Sequence, residues 1–170
     1  ALRKKRKYHL VVVKSTVVPG TTDNVVKPII EEYSGKRCGL DFGLCMNPEF
    51  LAEGSALQDT FDPDRVVIGE YDKKSGNFLE SLYKDFYDKN IPPIIRTNLQ
   101  NAELVKYASN AFLAMKISFI NQIANLCQRI PNADVDVIAK GIGLDKRIGP
   151  LFLKAGLGWG GSCFSKDLKA

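Results

Sequence analysis

No apolar run in this chain approaches the roughly 18 residues that a membrane span needs. The longest, around His9–Val13, is only strand-length, so no membrane partner is expected. The start shows no charged-then-apolar pattern ending in a small-residue cleavage site, which speaks against export. None of the four cysteines, Cys38, Cys45, Cys127 and Cys163, stands in a C-x-x-C pair. That disfavours a structural zinc cage, and no metal site is expected. Without an export signal, reduced thiols in the cytoplasm are the default. There is no repeat and no low-complexity segment. What remains is an ordinary globular balance, 45% hydrophobic and 25% charged over 170 residues, enough for one domain or two small ones. The 24 Lys and Arg against 19 Asp and Glu give +5. The basic run Arg3–Lys7 could serve a nucleic acid, but it lacks interleaved aromatics, and no nucleic-acid partner is expected.

Both ends look cut. Arg3–Lys7 reads as the basic last turn of a helix, where cations suit the dipole. Ser165–Ala170 reads as a helix just beginning, and the chain is therefore expected to be an internal piece of a longer one. Between them, Leu10–Val13 is a continuous β-branched run, as in a strand buried on both faces. Val25, Val26, Ile29 and Ile30 recur at helical spacing up to Gly35. Phe42–Met46, Arg65–Ile68 and Ile94–Arg96 read as strands, and Phe78, Leu79, Leu82 and Phe86 as one face of a helix. Such alternation points to an α/β layer with a largely parallel sheet. The texture changes at Thr97, where Thr97 and Gln100 fit a capping box. No Gly or Pro then intervenes before Arg129. One long helix of about 30 residues is expected there, buried on more than one side and stopped by Pro131. A short helix, Asp134–Lys140, follows, closed by Gly141. The expected boundary divides residues 1–96 from 97–170.

Four clusters could carry chemistry. Gly156, Gly158 and Gly161 spell G-x-G-x-x-G, but the dinucleotide fingerprint needs a preceding strand, and Leu151–Ala155 shows no strand alternation. Four glycines in six residues still suggest a backbone that something approaches closely. Cys163 follows in what reads as the first turn of a helix with Lys166 nearby, a setting that favours thiolate; an inert buried thiol is the alternative. Glu49 and Glu53 share a face if their segment is helical, just past a strand end where open α/β sheets take ligands; a solvated first turn would look the same. Lys106 and Asn110 share a face of the long helix. A lysine there needs a partner or must snorkel to water, and Lys116 is assigned to solvent on the same logic. After the first strand, Thr21, Thr22 and Asp23 read as helix caps, while Thr16 could cap or bind.

Taken in order, Ser15-Thr-Val-Val-Pro-Gly-Thr-Thr22, Asn47-Pro-Glu-Phe-Leu-Ala-Glu-Gly54, Glu103-Leu-Val-Lys-Tyr-Ala-Ser-Asn-Ala-Phe-Leu-Ala114 and Gly158-Trp-Gly-Gly-Ser-Cys-Phe-Ser-Lys-Asp167 resemble the nucleotide-sugar dehydrogenases over essentially the whole chain. The resemblance implies the second half of a Rossmann-like NAD domain followed by an all-helical central domain. It implies oxidation of a primary alcohol by four electrons, two hydrides passing to NAD, through a cysteine thiohemiacetal and thioester. Cys163 would be the nucleophile, Lys106 and Asn110 the stabilisers of the substrate oxygen, and Glu49 the base. Thr16 and Asp167 would hold a water. Ser15, Thr16, Val17, Glu53, Cys163 and Lys166 would edge the NAD site. The sugar nucleotide would meet Glu49, Phe50, Leu51, Glu53, Lys106, Asn110, Arg147, Phe152, Lys154, Gly156, Gly158 and Gly160, with Arg147 reaching a neighbouring subunit. Phe50–Gly54 favours a UDP-glucose substrate; GDP-mannose or a UDP-N-acetylhexosamine is the alternative. The helix from Thr97 is where the family pairs subunits, which implies a homodimer or higher homo-oligomer, or a fragment that associates without catalysing. Trp159 and Ser165 depart from the residues usual in the family.

Overall fold

β-Branched and apolar residues pack β1 (His9–Val13) beside β2 (Phe42–Met46) in parallel register, His9 opposite Phe42 and Val13 opposite Met46. The computed structural model of the chain describes residues 1–169, apart from the side chain of Ser162. Residues 22–34 form one helical stretch, a π-turn over Thr22–Val26 running into α1 (Lys27–Ser34), which Gly35 closes at φ 68°. A short α2 (Ala56–Phe61) precedes β3 (Val66–Glu70); α3 (Lys73–Tyr87) and β4 (Ile94–Asn98) follow. The four strands lie in the order β1-β2-β3-β4. β3 and β4 are parallel, but β2 and β3 run antiparallel through Cys45 opposite Glu70 and Met46 opposite Gly69. Alternation of elements could not show this reversal. The irregular segment after Met46 and the single short α2 make no βαβ crossover, so the chain turns back.

β2 is buried along its whole length. Phe42, Leu44 and Met46 join Val67, Leu99 and Ala102 on one face, while Cys45 joins Val66, Ile68 and Leu79 on the other. Gly69 is required here: a Cβ would stand 2.6 Å from the Ala102 Cβ and 2.9 Å from the Asn98 carbonyl oxygen. The apolar stripe expected on α3 is displaced. Ser75, Gly76 and Leu79 face the sheet, whereas Phe78, Leu82 and Phe86 are more than half exposed. Small residues win the inner face because β2 approaches closely at Gly43, where Ser75 Oγ and Tyr8 OH crowd any Cβ.

α4 spans Leu99–Cys127, 29 residues, beginning two residues after Thr97 and ending two before Arg129. Its cap is Asn98, whose Oδ1 accepts the Asn101 N–H at 2.8 Å; Thr97 remains in β4 and receives the Asn101 side chain instead. Leu99, Ala102, Ala114 and Ile120 are buried, but Leu104, Phe112, Met115, Phe119 and Leu126 are at least half exposed, so this chain alone covers only part of the helix. The chain divides into two compact units, Ala1–Lys106 and the residues from Tyr107 onward, and α4 contributes to both. In the second unit α5 (Val135–Gly143) is capped by Asp134, which accepts the Asp136 N–H at 2.8 Å. Gly141 lies inside it rather than closing it. α6 (Gly161–Asp167) begins earlier than the expected terminal helix; Ala170 lies outside the described residues. No strand precedes the glycines at 156–161, so the letter match to a dinucleotide fingerprint has no structural counterpart. Among the described residues, no helix is long and apolar enough to cross a membrane.

Candidate active site

β1 delivers Ser15, Thr16 and Val17 to the C-terminal edge of the parallel pair, the edge at which open α/β sheets take ligands. Val17 packs against the core and fixes the loop. The Ser15 and Thr16 hydroxyls make no hydrogen bond among the described residues, so both remain available to a polar ligand.

The expected caps of the following helix do not act as such. The Thr21 hydroxyl donates to Val18 O at 2.6 Å, and Asp23 pairs with Lys27. The helix entry is satisfied from outside by Glu103 on α4, which is fully buried and accepts the Gly20 N–H at 2.5 Å and the Thr22 N–H at 2.8 Å. Nothing in the sequence reading singled out Glu103. The signal was available: it is an acid in a long apolar helix, the same argument that picked out Lys106.

β2 ends at Met46, and residues 47–52 are irregular, so Glu49 and Glu53 do not share a helical face. The break at Asn47-Pro48 is what forbids the helix. Glu49 folds back on its own loop, Oε2 accepting the Leu51 N–H at 2.8 Å, and turns Oε1 to Lys106 Nζ at 3.3 Å. Lys106 is only 5% exposed; it does not snorkel. Its ammonium stands 5.3 Å from the centre of the Phe50 ring, and the Arg65 guanidinium stands 4.1 Å from the same ring. Glu53 and Leu51 are exposed, and the Glu53 carboxylate has no partner among the described residues, so it stays outside this cluster.

One helical turn beyond Lys106, Asn110 begins the second group. It is 8% exposed, and its Nδ2 donates to Asp167 Oδ2 at 2.6 Å. Asp167 is also buried, and its other oxygen pairs with Lys166. That hydrogen bond raises the Lys166 pKa, against desolvation, and the charge of Asp167 adds to it. Cys163 is exposed, in the first turn of α6.

The loop before α6 hangs on polar residues of α4. Asn121 Oδ1 accepts the Gly156 N–H at 3.1 Å, and the Trp159 indole donates to Ser118 Oγ at 2.9 Å. Gly158 and Gly161 have φ of 103° and 79°, a backbone that favours glycine. Gly156 and Gly160 have no such φ, and among the described residues a Cβ on either would meet nothing within 4 Å. Leu157 is fully exposed between them. The fold gives no reason for these two glycines, whereas close approach of a ligand would. Lys154 is exposed, and Phe152 is held at φ 64°. Arg147 is exposed and pairs with Asp145 at 2.6 Å. Lys116, assigned to solvent, instead donates to Ile148 O at 3.1 Å and so holds the loop that carries Arg147.

A Rossmann-like sheet leading into a helical domain with one long helix is an architecture shared with solved dehydrogenases. Residues 2–87 match the NAD binding domain, and residues 100–170 the central domain, of the UDP-glucose/GDP-mannose dehydrogenase family. The chain belongs to that family. It is 48% identical over 170 residues to the UDP-glucose 6-dehydrogenase AglM of Haloferax volcanii, covering 99% of this chain and 39% of that protein. It is 51% identical over 161 residues to YwqF of Bacillus subtilis, also a UDP-glucose 6-dehydrogenase, covering 95% of this chain and 35% of the relative. A UDP-glucose dehydrogenase structure from Pyrobaculum islandicum superposes with a TM-score of 0.87 at 49% identity, over 98% of this chain and 37% of the other. The GDP-mannose dehydrogenase of Pseudomonas aeruginosa gives 0.79 at 40% identity, over 99% and 38%. The chain thus spans little more than a third of the length of these relatives.

Proposed function

We propose that this chain carries the catalytic residues of an NAD-dependent dehydrogenase that converts UDP-glucose to UDP-glucuronate. The observation that carries the reading is the Lys106–Glu49 pair: a lysine kept at 5% exposure inside a helix, facing a carboxylate that leaves the sheet edge where ligands bind. Ser15, Thr16, Val17, Glu53, Cys163 and Lys166 would hold NAD, which supplies a hydride acceptor for each of the two oxidations. Residues 1–96 would be the C-terminal half of the NAD domain, and residues 97–170 part of the central domain.

The residues divide the work as their chemistry dictates. Lys106 and Asn110 offer N–H groups to the alcohol oxygen as it gains negative charge. The Cys163 sulfur adds to the aldehyde carbon after the first oxidation, and the carbonyl oxygen takes up a proton. The second oxidation, in which the carbon gives up a hydride and the hydroxyl its proton, leaves a thioester. Glu49 removes a proton from water as its oxygen bonds to the acyl carbon. The carbon–sulfur bond then breaks, and the thiolate leaves. Asp167, held by Asn110, and Thr16 would keep that water in place. Gly156, Gly158 and Gly160, with Phe50, Leu51, Phe152, Lys154 and a partner-borne Arg147, would take the sugar nucleotide against bare backbone. We further infer a homodimer in the cytoplasm, where four free thiols and NAD chemistry belong.

The decisive measurement is NADH released by the full-length protein with UDP-glucose, beside its Cys163→Ala variant. Two NADH per sugar, lost in the variant, is the expected result. Turnover of GDP-mannose but not UDP-glucose would move the substrate and keep the mechanism. No turnover with any nucleotide sugar would leave a module that only associates.

A further inference from the structure

We infer that Lys14 is a positioning residue for the reaction: together with Tyr83 it holds the Asn47 carboxamide, and through Asn47-Pro48 it fixes where Glu49 stands. The inference rests on the reading of Glu49 as the hydrolytic base.

Asn47 is 1% exposed and every polar group it offers, apart from its carbonyl, is engaged. Its backbone N–H donates to Val13 O at 2.9 Å. Its Nδ2 donates to Val67 O at 2.7 Å. Its Oδ1 receives the Lys14 ammonium at 2.7 Å and the Tyr83 hydroxyl. One side chain thus ties the exit of β1 to β3 and α3. Pro48 follows with its φ fixed near −65° by the ring, and a residue before proline is itself restricted. The orientation set at Asn47 is therefore passed on with little slack, and Glu49 is only two residues away. Its two oxygens then complete the placement, one on Lys106 at 3.3 Å and one on Leu51 N–H at 2.8 Å.

Satisfying Asn47 does not by itself call for a lysine, because Tyr83 already donates to the same oxygen. Desolvation lowers the Lys14 pKa, so the fold keeps an ammonium where its surroundings work against the charge. What favours the charge is the carboxylate of Glu49. Lys14, Asn47, Glu49 and Tyr83 line one cavity of about 430 Å³, so the cation and the base border the same space. Lys14 thereby differs from Lys106: it reaches the base through a neutral intermediary and has no need to touch substrate.

The test uses the full-length enzyme and its Lys14→Met, Lys14→Arg and Tyr83→Phe variants. Steady-state turnover is read beside the first NADH released on rapid mixing, with intact mass reporting any acyl group on Cys163. A displaced base slows hydrolysis rather than oxidation. Lys14→Met is expected to lower kcat by about 10-fold or more while leaving both KM values within about twofold. The first NADH should still appear quickly and the acyl-enzyme accumulate. Lys14→Arg should recover part of kcat, and Tyr83→Phe should shift it the same way by less. Should Lys14→Met not fold, Tyr83→Phe, which keeps the lysine, gives the same readout. An unchanged kcat, or a loss of burst and turnover together in step with a lower Tm, would overturn the inference alone. No NADH from the unaltered enzyme with any nucleotide sugar would overturn the reading beneath it and the inference with it.

Discussion

Burial pushes the Cys45 thiol up from 9.0 to about 12, helped by Glu70, and the Cys38 thiol up to about 11, helped by Glu31. Neither side chain serves the site; both pack in the two faces of the sheet core. Their titration still has a consequence. In the unfolded chain a thiol ionises near its ordinary value, while in the folded chain Cys45 keeps its proton. Between pH 9.0 and about 12 the folded state therefore holds more protons, and stability falls as pH rises. Tyr8 and Tyr83, also raised by burial, act with the same sign, and Lys14, lowered by desolvation, acts against them. Urea midpoints at pH 7 and pH 10 should show a drop for the native chain and a smaller one for Cys45→Ala, whatever that variant loses at neutral pH. An equal drop in both would remove Cys45 from the account. At this scale the sequence was informative where a residue type clashed with its pattern. Lys106 in an apolar helix had to find a partner or snorkel to water, and it has the partner, Glu49. Asn47, Tyr83 and Lys14 clash with nothing locally. Their convergence depends on β1, β2 and α3 meeting in space, which spacing along the chain cannot express.

Elements were legible when their signal was local. Phe42–Met46 announces itself by its apolar residues and the long helix by its length and its lack of Gly and Pro, and the end at Cys127 falls ahead of Pro131. The direction of β3 and the true cap of the 22–34 helix were not legible, because both are set by partners far along the chain. Glu103 shows how such a partner acts. Its carboxylate takes two backbone donors 81 and 83 residues away and fastens the first turn of that helix to α4. Glu103→Gln keeps the shape but can accept for only one of the two N–H groups, and turns an amide donor toward the other. A loss of about 1–3 kcal/mol in unfolding free energy is expected, the cost of a buried donor left unmade. Chemical denaturation measures it. A change below about 0.5 kcal/mol, the usual size for a surface substitution, would mean that water replaces the carboxylate.

On the scale of the whole molecule, the exposed apolar side chains of α4 are arranged, not scattered. Phe112, Met115, Phe119 and Leu126 are each at least half exposed. They are spaced three, four and seven residues apart, the a, d, a, a pattern of successive heptads. A helix that hides Ala114 and Ile120 on one side while presenting this stripe on the other is half packed. A second copy of the same helix would cover the stripe, since a two-fold axis places identical apolar rows against each other. The chain should therefore sediment as a dimer at micromolar concentration. Phe119→Asp, which puts a charge in the middle of the stripe, should sediment as a monomer. The helix itself should persist in that variant, because position 119 is half exposed in the single chain and its loss opens no cavity in the core. A native chain that sediments as a monomer, or an aspartate variant that stays dimeric, would place the stripe against some other surface. In the dimeric case Arg147, which among the described residues of the single chain pairs with its neighbour Asp145 alone, gains a second subunit within which to act.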